Sequence, residues 1–268
     1  MVVRRTRFAA PLVALALVAA AWGVVTPAGA ATKKPPRLEI MVSNDDGVGA
    51  EGIATLVEAL RELPNVKVTV VAPAAQQSGT GGKTTDGAVT AANATTATGY
   101  PAVAVDGFPA DSVIYGLDNV VKKKPNVVLT GINEGQNLGG VTDLSGTIGA
   151  ARAAAARGIP SLAVSANVNA PDYETAAELA VDWVKAHRAE LAKKPKSPVL
   201  LEALNVPTCT TGELRGVAKT TVSTSTINAL ADANCASTTP KPTDDIGAYV
   251  SGYASLSKPP LTPATPAP

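Results

Sequence analysis

Two adjacent carboxylates, Asp45 and Asp46, follow an apolar run from Leu38 to Val42, with Asn44 before them and Gly47 after. Neighbouring acids at a strand end repel each other unless a cation neutralises them, so a divalent metal is one natural reading. The other is a turn in which Asp46 caps a helix and Gly47 permits a tight bend. A second polar segment, Gln77-Ser78-Gly79-Thr80-Gly81-Gly82-Lys83-Thr84, follows another apolar run that ends at Ala72. Its end looks like a Walker loop, but the glycine required five positions before Gly82 is Gln77. What remains is a hydroxyl-rich loop able to offer an oxygen ligand, or a plain linker.

The third segment runs from Gly131 to Gly140 through Asn133 and Asn137, and is followed by Ser145-Gly146-Thr147 and an alanine-rich stretch. Ser145 is a good helix N-cap, and the backbone N–H groups of Gly146 and Thr147 would face an anion with the helix dipole behind them. Two amides, two hydroxyls and free N–H groups at one place describe a phosphate cradle. A capping turn explains Ser145 but not both asparagines.

Each of these segments sits just after an apolar run, where open parallel sheets gather their ligand sites. The elements that must position them alternate. Leu38–Ser43, Val66–Ala72, Val103–Val105, Asn126–Thr130, Ser161–Ser165 and Val199–Asn205 are expected strands. Glu51–Leu63, Ala110–Val121, Gly146–Arg157 and Tyr173–Leu191 are expected helices, the first with Ile53, Leu56, Val57 and Leu60 at helical spacing. The order is βα throughout, which predicts an α/β, Rossmann-like, mostly parallel sheet flanked by helices. Ala74–Thr98 is a long Gly- and Thr-rich loop with short strands, and loops of that length in a compact domain usually carry a site. Thr208–Ala248 forms a short Thr/Ser-rich C-terminal extension of weak pattern.

At the N-terminus, Arg4, Arg5 and Arg7 precede an apolar run from Phe8 to Val25 and the triplet Ala28-Gly29-Ala30. That is the order of a secretory signal peptide cleaved after Ala30, so residues 1–30 are expected to be removed and the mature protein to be secreted or extracytoplasmic, with no stable membrane association. Residues 31–37 read as a linker, 38–257 as one domain, and 258–268 as a Pro-rich disordered tail. Cleavage takes the basic residues from 23 to 20 against 22 acids. A nearly neutral chain is not expected to bind polymeric nucleic acid. Cys209 and Cys235 are the two cysteines, and in an oxidising compartment they most simply form one disulfide. His187 is the single histidine and falls in a helical stretch, which argues against Ser-His-Asp catalysis.

Five motifs in order are more specific. Ser-Asn-Asp-Asp-Gly-Val from Ser43, Val-Ala-Pro at 71 to 73 leading to Gln77-Ser78-Gly79, Gly-Phe-Pro-Ala-Asp-Ser at 107 to 112, Gly-Ile-Asn-x-Gly-x-Asn-x-Gly at 131 to 139, and Ser-Gly-Thr at 145 to 147 resemble the SurE survival-protein family. Gly252-Tyr253-Ala254-Ser255-Leu256 resembles its late strand. The resemblance implies a metal-dependent phosphatase acting on small phosphomonoesters, typically nucleoside 5'- or 3'-monophosphates. It places the metal on Asp45, Asp46, Ser78 and Asn133, with Asp45 or Asp46 also serving as base. It lines the phosphate pocket with Asn137, Ser145, Gly146 and Thr147, and Asn44 joins that set. All-oxygen ligands favour Mg²⁺ or Mn²⁺. The short region Thr208–Asp244 departs from the family's extended exchanging arm, so a monomer or simple homodimer with loose base preference is expected. Two rivals are an aspartyl-phosphate enzyme, which wants its aspartates separated by one residue, and an exported phosphate-binding module without turnover.

Overall fold

The structure, a computed structural model, describes residues 34–195 and 197–263. The expected signal peptide, part of the linker and the end of the Pro-rich tail lie outside the described residues. From Lys34 onward the chain is one unit. Its elements are β1 (Leu38–Ser43), α1 (Glu51–Arg61), β2 (Val66–Pro73), β3 (Thr90–Thr95), β4 (Pro101–Asp106) and α2 (Pro109–Tyr115). A π-helical turn, Gly116–Val120, leads to β5 (Val127–Glu134), and a 3-10 turn, Gly139–Asp143, leads to α3 (Gly146–Ala156). Then come β6 (Ser161–Ala166), α4 (Tyr173–Leu191), β7 (Leu201–Asn205), β8 (Val217–Lys219), α5 (Asp245–Val250) and β9 (Ala254–Ser257).

These strands form one sheet in the order β3-β4-β2-β1-β5-β6-β7-β9-β8. The six central strands, β4 to β7 in that order, run parallel; β3 pairs antiparallel with β4, and β9 antiparallel with β7. Successive side chains of a strand point to opposite faces, and that alternation sorts the core. Leu38, Ile40 and Val42 of β1, with Val127 and Leu129 of β5, pack under α1 and α4. Met41 and Val128 turn the other way, onto Val113 of α2 and Ala150 and Ala154 of α3. Small alanines on α3 let that helix lie close to the sheet. The architecture is α/β, with helices on both faces, as the βα order requires.

Several boundaries differ from the sequence expectation. β5 continues to Glu134, beyond the expected end at Thr130, with a register shift against β6 between Thr130 and Asn133. Gly131 makes this possible: its φ is 127°, and a Cβ there would run into the Val164 carbonyl. The expected helix Ala110–Val121 becomes α2 and then the π-helical turn, where Gly116 abuts Met41 and Val71. The Ala74–Thr98 loop closes into a β3-β4 edge hairpin. The extension holds β8 and α5, elements of 3 and 6 residues that are too short to show a period. Cys209 and Cys235 are bonded, with Cα atoms 5.6 Å apart.

Candidate functional site

β1 lies between β2 and β5, so the chain leaves it to one side through α1 and later fills the other side. Such a reversal opens a crevice at the carboxyl ends of the strands. The segments after β1 and β5 meet there. Asp45 is buried, and its Oδ1 accepts a hydrogen bond from Thr147 Oγ1 at 2.6 Å. Gly146 comes so near that a Cβ on it would sit 2.8 Å from Asp45 Cβ and 2.9 Å from Asp45 Oδ2. Only glycine lets the α3 N-terminus approach the acid this closely. Thr130 Oγ1 donates to the Thr147 carbonyl at 2.8 Å, which anchors that end of α3 to β5.

Asp46 is half-buried, and its Oδ2 accepts from the Glu134 amide at 3.1 Å. Asp46 therefore does not cap α1, which starts five residues later with Ala50 at its N-cap position. Ser78 is exposed; its hydroxyl accepts from Gln76 Nε2 at 2.8 Å and also lies in hydrogen-bonding reach of Asp46. Its loop is tied down by Gln77 N–H to the Asp45 carbonyl at 2.7 Å and by Gly81 N–H to the Leu144 carbonyl at 3.0 Å. Ser145 caps α3 by accepting from the Ile148 amide at 3.1 Å. Asn137 Nδ2 donates to Ser165 Oγ at 2.9 Å and to Thr147 Oγ1 at 3.4 Å. A continuous chain of hydrogen bonds thus runs from Ser165 through Asn137 and Thr147 to Asp45.

Electrostatics follow from burial. Desolvation, reinforced by the charge of Asp46, pushes the Asp45 carboxyl up from 3.8 to about 7, against the lowering effect of Thr147. Burial also raises Asp46, opposed by the Glu134 amide and the Ser78 hydroxyl. Tyr173 is raised as well, first by burial and then by Glu134, Asp46 and Glu51. Among the described residues no three His, Cys, Asp or Glu side chains cluster. The donor set on offer is two carboxylates, a hydroxyl and amide oxygens. Two of those amide oxygens, Asn133 Oδ1 and Asn44 Oδ1, are buried with no hydrogen-bond partner. Orphaned buried acceptors near desolvated carboxylates suit a hard divalent cation.

Asp45, Asp46, Ser78, Asn137, Gly146 and Thr147 are thus connected directly, and Ser145 caps the same helix start. Asn133 is held by Nδ2 donating to the Gly135 carbonyl. Asn44 is held by Nδ2 donating to the Gly47 carbonyl at 2.8 Å. Two residues escaped the sequence reading. Ser165 closes the network on β6, and Asn205 at the end of β7 clamps Asn137 by accepting from its amide at 2.6 Å and donating to its carbonyl at 3.2 Å. Each is a polar residue at the carboxyl end of a buried strand, a signal that was available. His187, stacked on Trp183 at 4.4 Å with Nδ1 against the Trp183 carbonyl, lies on α4 and takes no part in this network.

The family model described as survival protein SurE matches residues 40–229. The chain belongs to the SurE family. A 5'-nucleotidase SurE from Microcystis aeruginosa is 38% identical over 184 residues, covering 67% of this chain and 66% of the relative. One from Prochlorococcus marinus is 43% identical over 176 residues, covering 64% and 65%. A 5'/3'-nucleotidase SurE from Yersinia pseudotuberculosis is 36% identical, covering 67% of each chain. This SurE chain thus spans about two thirds of the length of these relatives. The crystal structure of a SurE protein from Aquifex aeolicus superposes with a TM-score of 0.68 at 28% identity, covering 85% of this chain and 95% of that one.

Proposed function

We propose that this SurE-family chain hydrolyses phosphate monoesters, chiefly nucleoside 5'- or 3'-monophosphates, to an alcohol and inorganic phosphate. One observation carries the reading. Buried Asp45 lies against the start of α3 with half-buried Asp46 beside it, and orphaned amide oxygens stand on Asn44 of the same segment and on Asn133 of β5. An arrangement of this kind serves a cation and a phosphate together, and the names of the relatives point the same way.

In this reading Asp45, Asp46, Ser78 and Asn133 hold Mg²⁺ or Mn²⁺. When bound, such a cation neutralises phosphate charge and acidifies water. The remaining work falls to the chain. The first amides of α3 have no partner within the helix; that of Thr147 leans on Asp45, and that of Gly146 is the one left for the phosphate, along the dipole. Asn137 is held rigid on its main chain by Asn205, so its amide group is fixed before the substrate arrives. The aspartates are the proton acceptors at that end. The disulfide and the N-terminal pattern support a secreted, extracytoplasmic protein, and the short extension supports a monomer or simple homodimer.

The test is release of inorganic phosphate from a panel of nucleotides and p-nitrophenyl phosphate, with Mn²⁺, Mg²⁺ or EDTA. Turnover that requires the cation supports the reading. Tight phosphate binding without turnover of any substrate would replace it with a binding module.

A further inference from the structure

We propose that Arg152 is a positioning residue of this site, holding the phosphate-facing start of α3 through Asp143 and recruiting the C-terminal segment at Pro260 into its support. The inference rests on the phosphatase reading above. Arg152 lies on α3 two turns beyond Ser145-Gly146-Thr147, and its side chain turns back toward them. Nη2 donates to Asp143 Oδ1 at 2.7 Å, Nη1 to the Thr142 carbonyl at 3.4 Å and Nε to the Pro260 carbonyl at 3.0 Å. Arg152 is 6% exposed and Asp143 7% exposed.

What the guanidinium grips is the last part of the Gly139–Asp143 turn. The first part is held independently, by Gly139 N–H to Asp245 Oδ2 at 2.9 Å and Gly140 N–H to the Ser225 carbonyl at 2.9 Å. Only Leu144 separates Asp143 from the Ser145 cap, and the Leu144 carbonyl anchors Gly81 of the Ser78 loop. A shift at Asp143 therefore moves the first amides of α3 and the serine loop together. Buried ion pairs are often no more stabilising than apolar groups of similar volume, so stability alone does not account for this one. Geometry does: a planar fork with several fixed donors grips three oxygens on two segments, which a single ammonium cannot reproduce. Displacements of about 1 Å in a preorganised site cost on the order of 100-fold in rate.

The experiment uses the mature chain with Mn²⁺, p-nitrophenyl phosphate as substrate and inorganic phosphate as the binding probe. Arg152→Lys keeps a charge for Asp143. The double variant Arg152→Met with Asp143→Leu removes both charges, so no buried ion is stranded. We expect both to keep a cooperative thermal transition while kcat falls at least ten-fold and phosphate affinity several-fold. Ethylguanidinium should restore part of the rate to Arg152→Ala. A chain ending at Ser257 should lose activity several-fold, and it serves as the readout if the substitutions prevent folding. Values of kcat and phosphate affinity within two-fold of wild type in the folded variants, or in the shortened chain, overturn the proposal. Absence of turnover in the wild type instead overturns the phosphatase reading, and phosphate affinity across the variants then still decides the role of Arg152.

Discussion

Replacing Asp45 with asparagine should make the metal-free protein more stable at pH 8 while leaving it inactive. In the unfolded chain this carboxyl ionises near 3.8, and in the folded chain near 7, because burial and the Asp46 charge oppose ionisation. The folded state therefore holds an extra proton between those values. Stability must fall as pH rises from about 4 to about 7, and the full penalty is present above that. At about 1.4 kcal/mol for each tenfold change in proton affinity, the penalty comes to about 4 kcal/mol. The asparagine keeps its Oδ1 as acceptor for Thr147. Its new NH₂ group, next to Gly146, has no evident acceptor and costs roughly 1 to 2 kcal/mol. The net gain at pH 8 is about 2 to 3 kcal/mol, or about 4 to 12 °C for a chain of this size. Urea unfolding in EDTA at pH 4.5, 6 and 8 measures it, with m-values checked for constancy. The gain should appear at pH 8, shrink at pH 6 and vanish or reverse at pH 4.5. An equal gain at all three values, or a loss at pH 8, refutes the electrostatic argument.

Asp46→Asn should abolish phosphate release at saturating Mn²⁺ with circular dichroism unchanged; retained turnover removes the acid pair from the site. Gly146→Ala places a methyl 2.8 Å from Asp45 Cβ, so kcat/KM should fall at least ten-fold, and steady-state kinetics that match wild type would contradict the close approach. Asn205→Ala frees both main-chain groups of Asn137 and should cost about 1 to 3 kcal/mol of stability together with a raised KM, read by denaturation and initial rates. The Cys209–Cys235 bridge spans 26 residues of sequence, so Cys209→Ser with Cys235→Ser should lose about 3 kcal/mol. Reductant should then destabilise the wild type and leave the double variant unmoved.

How far the sequence alone reached depends on the range of the interaction. The apolar runs that became β1, β2, β6 and β7, and the helical spacing of Ile53, Leu56, Val57 and Leu60, are local patterns and were readable as such. The motif residues Asp45, Asp46, Ser78 and Asn133 could be picked out because polar and glycine residues interrupt apolar runs at strand ends. Whether Asp46 caps a helix could not be settled locally, since its partner, the Glu134 amide, is 88 residues away. The same holds for Asn205 against Asn137, 68 residues apart, and for Arg152 against Pro260, 108 apart. Nothing in a linear window distinguishes a polar residue awaiting a distant partner from one facing water. The continuation of β5 past Gly131 and the π-helical turn at Gly116 were decided by the backbone of β6 and the side chains of β1 and β2 pressing on glycines. Local periodicity determined the central strands and helices and their order, but not short elements such as β8 and α5. Close packing at the sheet's carboxyl edge decided how they end and which groups meet.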